Sequence, residues 1–223
     1  GAMIPARGYQ TMISGGFFAR YGILSVQLMP ELVYAQNKYF EGFPEKHRKE
    51  AWQAYNSLKG NIDLPDRFGN EPYQRAFWGQ SSVRLSYKSL SIGLSNENLW
   101  WGPGHKNALM MTNNAPGFKH ITFNTVKPVR TPIGSFEWQF VSGRLDGSGY
   151  QGLDTVLLKS KGLKPRTKRS DWRYLNAMTV NYQPRWLPGL SIGGARSFTI
   201  YSDDINRANY KTWLPVARSE ERR

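Results

Sequence analysis

Apolar and polar residues alternate along eight segments of this chain. In one of them, Val83, Leu85 and Tyr87 fall on one side of an extended strand, and the residues between them are polar. A period of two is the pattern of a β-strand with one apolar face, because successive side chains point to opposite sides. The pattern predicts an all-β chain of antiparallel strands. The eight segments cover residues 9–19, 22–36, 80–89, 90–100, 119–129, 133–145, 173–184 and 189–201.

The connections between these segments differ in length. Tight turns are predicted near residues 89–90, 131–134 and 188–189, whereas longer polar connections join the other strand ends. Strands of roughly 9–11 residues, with short turns at one end and long connections at the other, are typical of an outer-membrane barrel. A soluble sandwich usually has shorter strands. We therefore predict an antiparallel up-and-down outer-membrane β-barrel, or part of one.

The two ends of the chain fall outside the strand pattern. Gly1-Ala2-Met3, residues 1–3, is interpreted as the remnant of an expression tag. Residues 217–223 are polar and close no strand, which predicts that the sequence stops inside a loop of a longer protein. Residues 4–223 are then expected to form a single barrel domain or a fragment of one.

One helical insertion is predicted between residues 45 and 58. Pro44 suits the first position of a helix, and Gly60 suits its end. Trp52, Tyr55 and Leu58 are expected to share its apolar face. A helix inside a barrel chain either plugs the lumen or packs over an edge of the sheet, and the sequence leaves both readings open.

The most informative stretch of the chain is residues 94–117. It contains Trp100-Trp101-Gly102-Pro103-Gly104 and, after a short apolar patch, Asn113-Asn114-Ala115-Pro116. These motifs resemble the signature of the capsule assembly Wzi family. The similarity extends from Asp63-Leu64-Pro65-Asp66-Arg67-Phe68-Gly69 to Gly134-Ser135-Phe136-Glu137-Trp138, over roughly residues 60 to 150. The resemblance implies an outer-membrane β-barrel that holds capsular polysaccharide at the bacterial cell surface, with a helical element blocking its periplasmic side.

The same stretch has the chemistry of a sugar-binding surface. Aromatic rings stack on the apolar C–H faces of sugars, and side-chain amides hydrogen-bond their hydroxyls. Consecutive strand residues point to opposite faces, so at most one of the two tryptophans faces a ligand. In the alternative reading both tryptophans are structural, and the glycines only form a tight turn. The candidate carbohydrate-binding residues are Glu97, Asn98, Trp100, Trp101, Asn107, Asn113 and Asn114, with Arg67, Arg75 and Lys106 as charges for acidic sugars.

The chain is strongly basic. It has 30 Lys and Arg against 16 Asp and Glu, a net charge of +14, which argues for an acidic partner such as nucleic acid, anionic lipid or an acidic polysaccharide. One run between residues 159 and 173 is a candidate anion-binding loop, although such runs are usually solvated. Its candidate residues are Lys159, Lys161, Lys164, Arg166, Lys168 and Arg169.

Two other classes of function are open to this sequence. A soluble basic β protein could bind nucleic acid through charge and stacked aromatics, but the basic run lies away from the tryptophan-rich stretch. A glycan-processing enzyme needs two carboxylates across a cleft, for which the sequence offers only Glu97 and Glu137.

Other site motifs are weak. The three histidines lie far apart, and the glycine motif at 147–152 lacks the strand and helix of a dinucleotide site. We expect no catalysis, no cofactor, no metal and no nucleic acid. The expected partners are surface polysaccharide and outer-membrane lipid, and the chain is expected to be a monomer.

Overall fold

The structure is a computed structural model that describes residues 1–60, 65–106, 108, 110–150, 152–153, 155–165 and 169–207. The all-β prediction is confirmed. Within these residues, two short helices and one 3-10 helix interrupt the strands, at Lys49–Gly60 (α1), Thr155–Ser160 (α2) and Ser202–Arg207. The strands of the described residues are Gln10–Ser14 (β1), Phe17–Tyr21 (β2), Leu24–Leu28 (β3), Glu31–Ala35 (β4), Tyr73–Phe77 (β5), Ser82–Tyr87 (β6), Leu90–Ser95 (β7), His120–Thr125 (β8), Val129–Thr131 (β9), Gly134–Leu145 (β10), Arg173–Pro184 (β11) and Ile192–Tyr201 (β12).

The strands form two antiparallel sheets, and the same hairpin contributes strands to both. One has the order β1-β4-β5, and the other has the order β2-β3-β6-β7-β8-β10-β11-β12, with β9 also paired to β10. The pairs β1–β4 and β2–β3 keep one register, so they form a single long hairpin interrupted at Gly15-Gly16 and Met29-Pro30. At Gly16 a Cβ would lie 1.7 Å from the carbonyl oxygen of Leu28. Only glycine allows this close approach.

Two more long strands are interrupted in the same way. β5 and β6 follow the first hairpin with a shift of one residue between Glu31↔Phe77 and Gln27↔Ser82, as expected for a bulge. β8 and β9 both pair with β10. The twelve strands therefore lie along eight long strands in up-and-down order, one for each segment predicted from the alternation. In the described part of the chain no ladder joins the first long strand to β12, so this sheet is open and the predicted closure into a barrel is not seen.

The faces of the larger sheet are inverted relative to a water-soluble protein. Its apolar side chains are exposed. Leu85 in β6 is 49% exposed, and Ile92 in β7 and Ile121 in β8 are each 51% exposed. The opposite face is polar and buried, as at Ser91 and Thr122. A sheet in water buries its apolar side, whereas a lipid-facing sheet exposes it.

The buried polar face, called here the inward face, carries two small apolar clusters. One joins the segment after β7 to β10 and β11, and consists of Leu99, Trp101, Val141, Leu175 and Ala177. The other joins β4 and β5 to the beginning of the chain, and consists of Ala2, Ile4, Val33, Ala35 and Tyr73. Ala2 is thus part of the core, and the interpretation of residues 1–3 as a tag remnant stays a prediction.

Helix α1 begins at Lys49, four residues later than the predicted start. Trp52 is 3% exposed, and Phe43 packs edge-on against Trp52 at 5.0 Å and stacks on Tyr55 at 4.2 Å. Leu58 is 61% exposed, so the expectation that it shares the buried face is wrong. It lies six residues after Trp52, which places it about 120° around the helix.

The helices belong to the long connections. Lys161, just after α2, donates to the Glu45 carbonyl at 2.7 Å, and Asn56 of α1 donates to the Lys164 carbonyl at 3.3 Å. The connection before β5 is therefore tied to the one before β11. No helix in the described residues is long and apolar enough to cross a membrane. A plugging role for α1 stays a prediction.

Candidate functional site

The segment between β7 and β8, residues 96–118, folds back on the inward face of the sheet. Asn98 ties it at two points. Its backbone N–H donates to Gln80 Oε1 at 2.9 Å, and its side-chain amide donates to the Ala115 carbonyl at 2.8 Å. At Gly117 a Cβ would lie 1.8 Å from the Asn96 carbonyl oxygen, so glycine is required where the segment closes. The two ends of the segment are thereby held together.

The two adjacent tryptophans have different environments. Trp101 is 7% exposed, packs in the cluster around Val141, and donates from Nε1 to Gln139 Oε1 at 2.9 Å. Trp100 is 36% exposed, and its Nε1 donates to the Gly104 carbonyl at 2.7 Å. Trp101 therefore anchors the segment to β10, and Trp100 presents an accessible ring.

Glu97 lies just beyond the end of β7 and is held by internal partners. It forms an ion pair with Arg84, and it accepts hydrogen bonds from Ser95 Oγ at 2.9 Å and Ser82 Oγ at 3.1 Å. Burial acts to raise the pKa of Glu97, but the hydrogen bond and charge of Arg84, with the two hydroxyls, outweigh burial and hold this pKa below its ordinary value. The Glu97 carboxylate is thus a fixed anion that neutralises Arg84.

A hydrogen-bond network continues from this ion pair across the sheet. Arg84 donates from Nη1 to Asn124 Oδ1 at 3.0 Å, and Thr122 donates to the same oxygen at 3.4 Å. Gln139 donates to Thr122 Oγ1 at 3.3 Å and accepts from Trp101. Polar networks in which the members are satisfied make a site rigid. The segment therefore rests on a fixed polar base.

The exposed candidates lie on the outer side of this segment. Asn113 and Asn114 are exposed, as are Trp100 and Lys106. Their amides and the ring of Trp100 offer the stacking surface and hydrogen-bonding groups that sugars require. Asn107 lies outside the described residues. The structure thus divides the predicted set into exposed residues and residues that hold the segment in place.

Arg67 and Arg75 lie in a different neighbourhood. Arg67 donates to the Asn37 carbonyl at 3.0 Å, and its guanidinium lies 5.2 Å from the ring centre of Tyr39. Arg75 hydrogen-bonds Tyr150. In the described part of the chain the structure does not join these arginines to the segment that carries Trp100.

The predicted anion-binding loop is partly neutralised. Arg169 donates to both carboxylate oxygens of Asp171 at 2.9 Å and to Asp204 at 2.6 Å, and it lies 4.1 Å from the ring centre of Tyr201. The hydrogen bond from Arg169 lowers the pKa of Asp171.

The other candidates of this loop differ in their contacts. Lys161 binds the Glu45 carbonyl, while Lys159 and Lys164 are exposed. Arg166 and Lys168 lie outside the described residues. The role of the loop as an anion site stays a prediction.

Sequence reasoning missed the partners that fix the site. Gln80, Arg84 and Gln139 hold Asn98, Glu97 and Trp101. Gln80 lies between β5 and β6, Arg84 lies in β6, and Gln139 lies in β10. Alternation places Arg84 and Gln139 on the polar face, yet only the pairing of strands brings them beneath the segment. In the described residues no three metal-binding side chains converge.

The comparisons with known proteins give one match. The family model described as "Capsule assembly protein Wzi" matches residues 15–197. No curated protein and no solved structure matches the chain. The matched region includes strands β2 to β11, the first part of β12 and the segment that carries Trp100. The chain therefore belongs to the capsule assembly protein Wzi family, which consists of outer-membrane proteins.

Proposed function

We propose that this protein binds capsular polysaccharide noncovalently and anchors it to the bacterial outer membrane. The observation that carries the proposal is that one sheet combines an apolar outward face with an exposed aromatic and amide segment. Its outward face is apolar and exposed, while the segment at its long connections presents Trp100, Asn113 and Asn114 on a rigid base. The outward face suits lipid, and the segment suits sugar.

The membrane part of the proposal rests on the inverted faces. Val83 pairs with Leu94, and Leu85 pairs with Ile92 in the next strand, so the exposed apolar residues form continuous rows across the sheet. Apolar rows of this kind cost little free energy when they face lipid hydrocarbon, whereas their exposure to water is unfavourable. They favour a membrane sheet over the soluble nucleic-acid-binding alternative.

The glycan part of the proposal rests on two groups of residues within 96–118, those that position the segment and those that are exposed. The side chains of Trp101 and Asn98 form internal hydrogen bonds, so these two residues position the segment. Trp100 and the two exposed asparagines remain available for stacking and for hydrogen bonds to hydroxyls. Because single sugar contacts are weak, retention would come from several contacts along one polysaccharide chain.

The test uses a capsule-producing cell that carries the full-length protein. We expect Trp100→Ala and Asn114→Ala to shift capsule from the cell surface into the medium, since each removes a ligand contact and leaves the internal network intact. Trp186→Ala is the matched control, because Trp186 is also exposed, at 69%, and lies in the tight turn after β11. Surface-bound and released polysaccharide are measured at equal levels of folded protein.

Two results would count against the proposal. If both variants retain capsule as well as the wild type, the segment is not the glycan site. If the full-length protein is recovered as a monodisperse folded monomer without detergent, the membrane assignment fails. Duplex DNA serves as a further comparison, since phosphate contacts give binding a steep salt dependence that stacking on sugars lacks.

A further inference from the structure

The tight-turn end of the sheet is entirely basic. The four stretches that form this end, residues 15–26, 84–93, 124–136 and 180–193, contain no Asp or Glu. Cations lie in or next to each turn, and those that are exposed are Arg20, Lys88, Lys127, Arg130 and Arg185. The candidate residues of the proposed glycan site belong to the long connections. This cationic end is therefore a separate feature.

A hollow of about 680 Å³ lies within this end, between the β9–β10 turn and the β11–β12 turn. Sites for small ligands typically have volumes of roughly 300–1,000 Å³. The hollow is lined by hydrogen-bonding side chains that include Arg130, Ser135, Gln183, Arg185 and Ser191. Its size and lining suit a polar ligand.

Strand register explains why these side chains converge. Ser135 pairs with Arg130 on one side and with Gln183 on the other, so the three residues form one row across the sheet. Two residues along β10, Glu137 pairs with Asn181 on the same face. Because side chains alternate, this is the polar inward face that also carries Gln139. Arg130, Ser135 and Gln183 thus line the hollow from the polar row of the sheet, whereas Thr131, Gly134 and Pro184 line it from the neighbouring row.

The two arginines of the hollow are available for a ligand. Among the described residues neither Arg130 nor Arg185 forms an ion pair, and both are exposed. The nearest acid along β10 on that face is Glu137, about 7 Å beyond Ser135 at the rise of a β-strand. A guanidinium binds carboxylate or phosphate through paired hydrogen bonds. Gln183 and the two serines add groups that can bind sugar hydroxyls.

We infer that this hollow binds an anionic saccharide, held by Arg130 and Arg185 through its carboxylate or phosphate and by the neighbouring amide and hydroxyls. A lipid headgroup is the less suitable ligand, because Arg130 and Gln183 belong to the polar inward row, whereas the acyl chains of a lipid must reach the apolar outward face. The inference concerns the end of the sheet opposite the Trp100 segment, and it stands without the glycan site proposed there.

The test is isothermal titration of the full-length protein in a polyoxyethylene detergent, because a sugar-based detergent would compete. The probes are trigalacturonate, neutral maltotriose, inorganic phosphate and vesicles of phosphatidylglycerol. We expect trigalacturonate to bind at low salt and maltotriose to bind at least tenfold more weakly. Arg130→Gln and Arg185→Gln should each weaken trigalacturonate about tenfold, the typical loss of one charge-assisted contact.

Lys88→Gln is the matched control. It removes one positive charge from the same end, but Lys88 lies 5.3 Å from the ring centre of Tyr87 and outside the hollow. We expect it to change trigalacturonate affinity less than twofold. Heat-dependent gel mobility confirms that each variant is folded.

Three outcomes would overturn the inference. If Lys88→Gln weakens binding as much as Arg130→Gln, the attraction is diffuse and there is no defined site. If vesicles compete for the arginines and trigalacturonate does not bind, the ligand is a lipid headgroup. If phosphate alone binds as tightly as trigalacturonate, the hollow is a simple anion site with no saccharide recognition.

Discussion

Trp101 provides the sharpest test of how the site is held. The side chain is 7% exposed, so nearly all of the roughly 150–250 Å² of a large aromatic residue is buried. At about 25 cal/mol per Å², that area is worth about 4–6 kcal/mol, and truncation of buried aromatics in practice costs about 3–5 kcal/mol. We expect Trp101→Ala to lower the free energy of unfolding by about 3–5 kcal/mol. Trp101→Phe should lose about 1–3 kcal/mol, since it keeps most of the packing and leaves Gln139 Oε1 without its donor.

The assay is reversible urea unfolding of the full-length protein in detergent, followed by circular dichroism and by gel mobility. Trp100→Ala is the internal control, because that ring is 36% exposed. It should cost less than about 1 kcal/mol, as substitutions at exposed positions do. Equal losses for the two variants would refute the reasoning, since they would mean that the tryptophans do not differ in burial. A loss below about 1 kcal/mol for Trp101→Ala would mean that the segment is not anchored by this residue.

Three further predictions concern other parts of the molecule. Trp52→Ala should lower the free energy of unfolding by about 3–5 kcal/mol and Leu58→Ala by less than about 0.5 kcal/mol, because the two side chains are 3% and 61% exposed; a reversed order in urea unfolding would contradict the described packing of α1. Ile92→Arg, on the outward face, should cost about 2–4 kcal/mol in lipid vesicles if β7 faces the bilayer centre, and a neutral effect would place that face in water. Glu97 has a folded-state pKa below its unfolded value of about 4.3, so the stability it contributes is complete above that pH and is lost as the pH falls through the folded pKa. The difference in unfolding free energy between wild type and Glu97→Gln should therefore shrink on acidification. A difference that grows would mean that the pKa of Glu97 is raised in the folded protein.

The eight long strands could be predicted from the sequence because alternation is a local property. Each residue of β10 shows its face through its neighbours, as Phe136, Trp138 and Phe140 do against Ser135, Glu137 and Gln139. The predicted bounds of 173–184 for β11 agree with the structure. The interruptions were less visible, since the bulge before β6 depends on the register of two strands that are distant in sequence. Helix α2 was missed because six residues give too little periodicity to recognise.

The candidate site was predicted only in part. Aromatic and amide residues around Trp100 could be recognised by type, and the resemblance to the Wzi family rested on the same motif. Which of these aromatic and amide side chains are exposed and which are buried could not be predicted, because burial depends on the strand that lies beneath each residue. The pairing of Arg169 with Asp204 could not be predicted either, because Asp204 lies 35 residues further along the chain.

The sequence by itself determined the alternation, the tight turns and the family, because these are encoded in neighbouring residues. Only the tertiary structure decided which polar groups meet. Arg84 pairs with Glu97, and Arg130 and Gln183 flank Ser135 in one row, because antiparallel register places distant strands side by side. Register is set by interactions along whole strands, so no local pattern reveals it. The cationic hollow at the tight-turn end exists for this reason, although every residue that lines it is visible in the sequence.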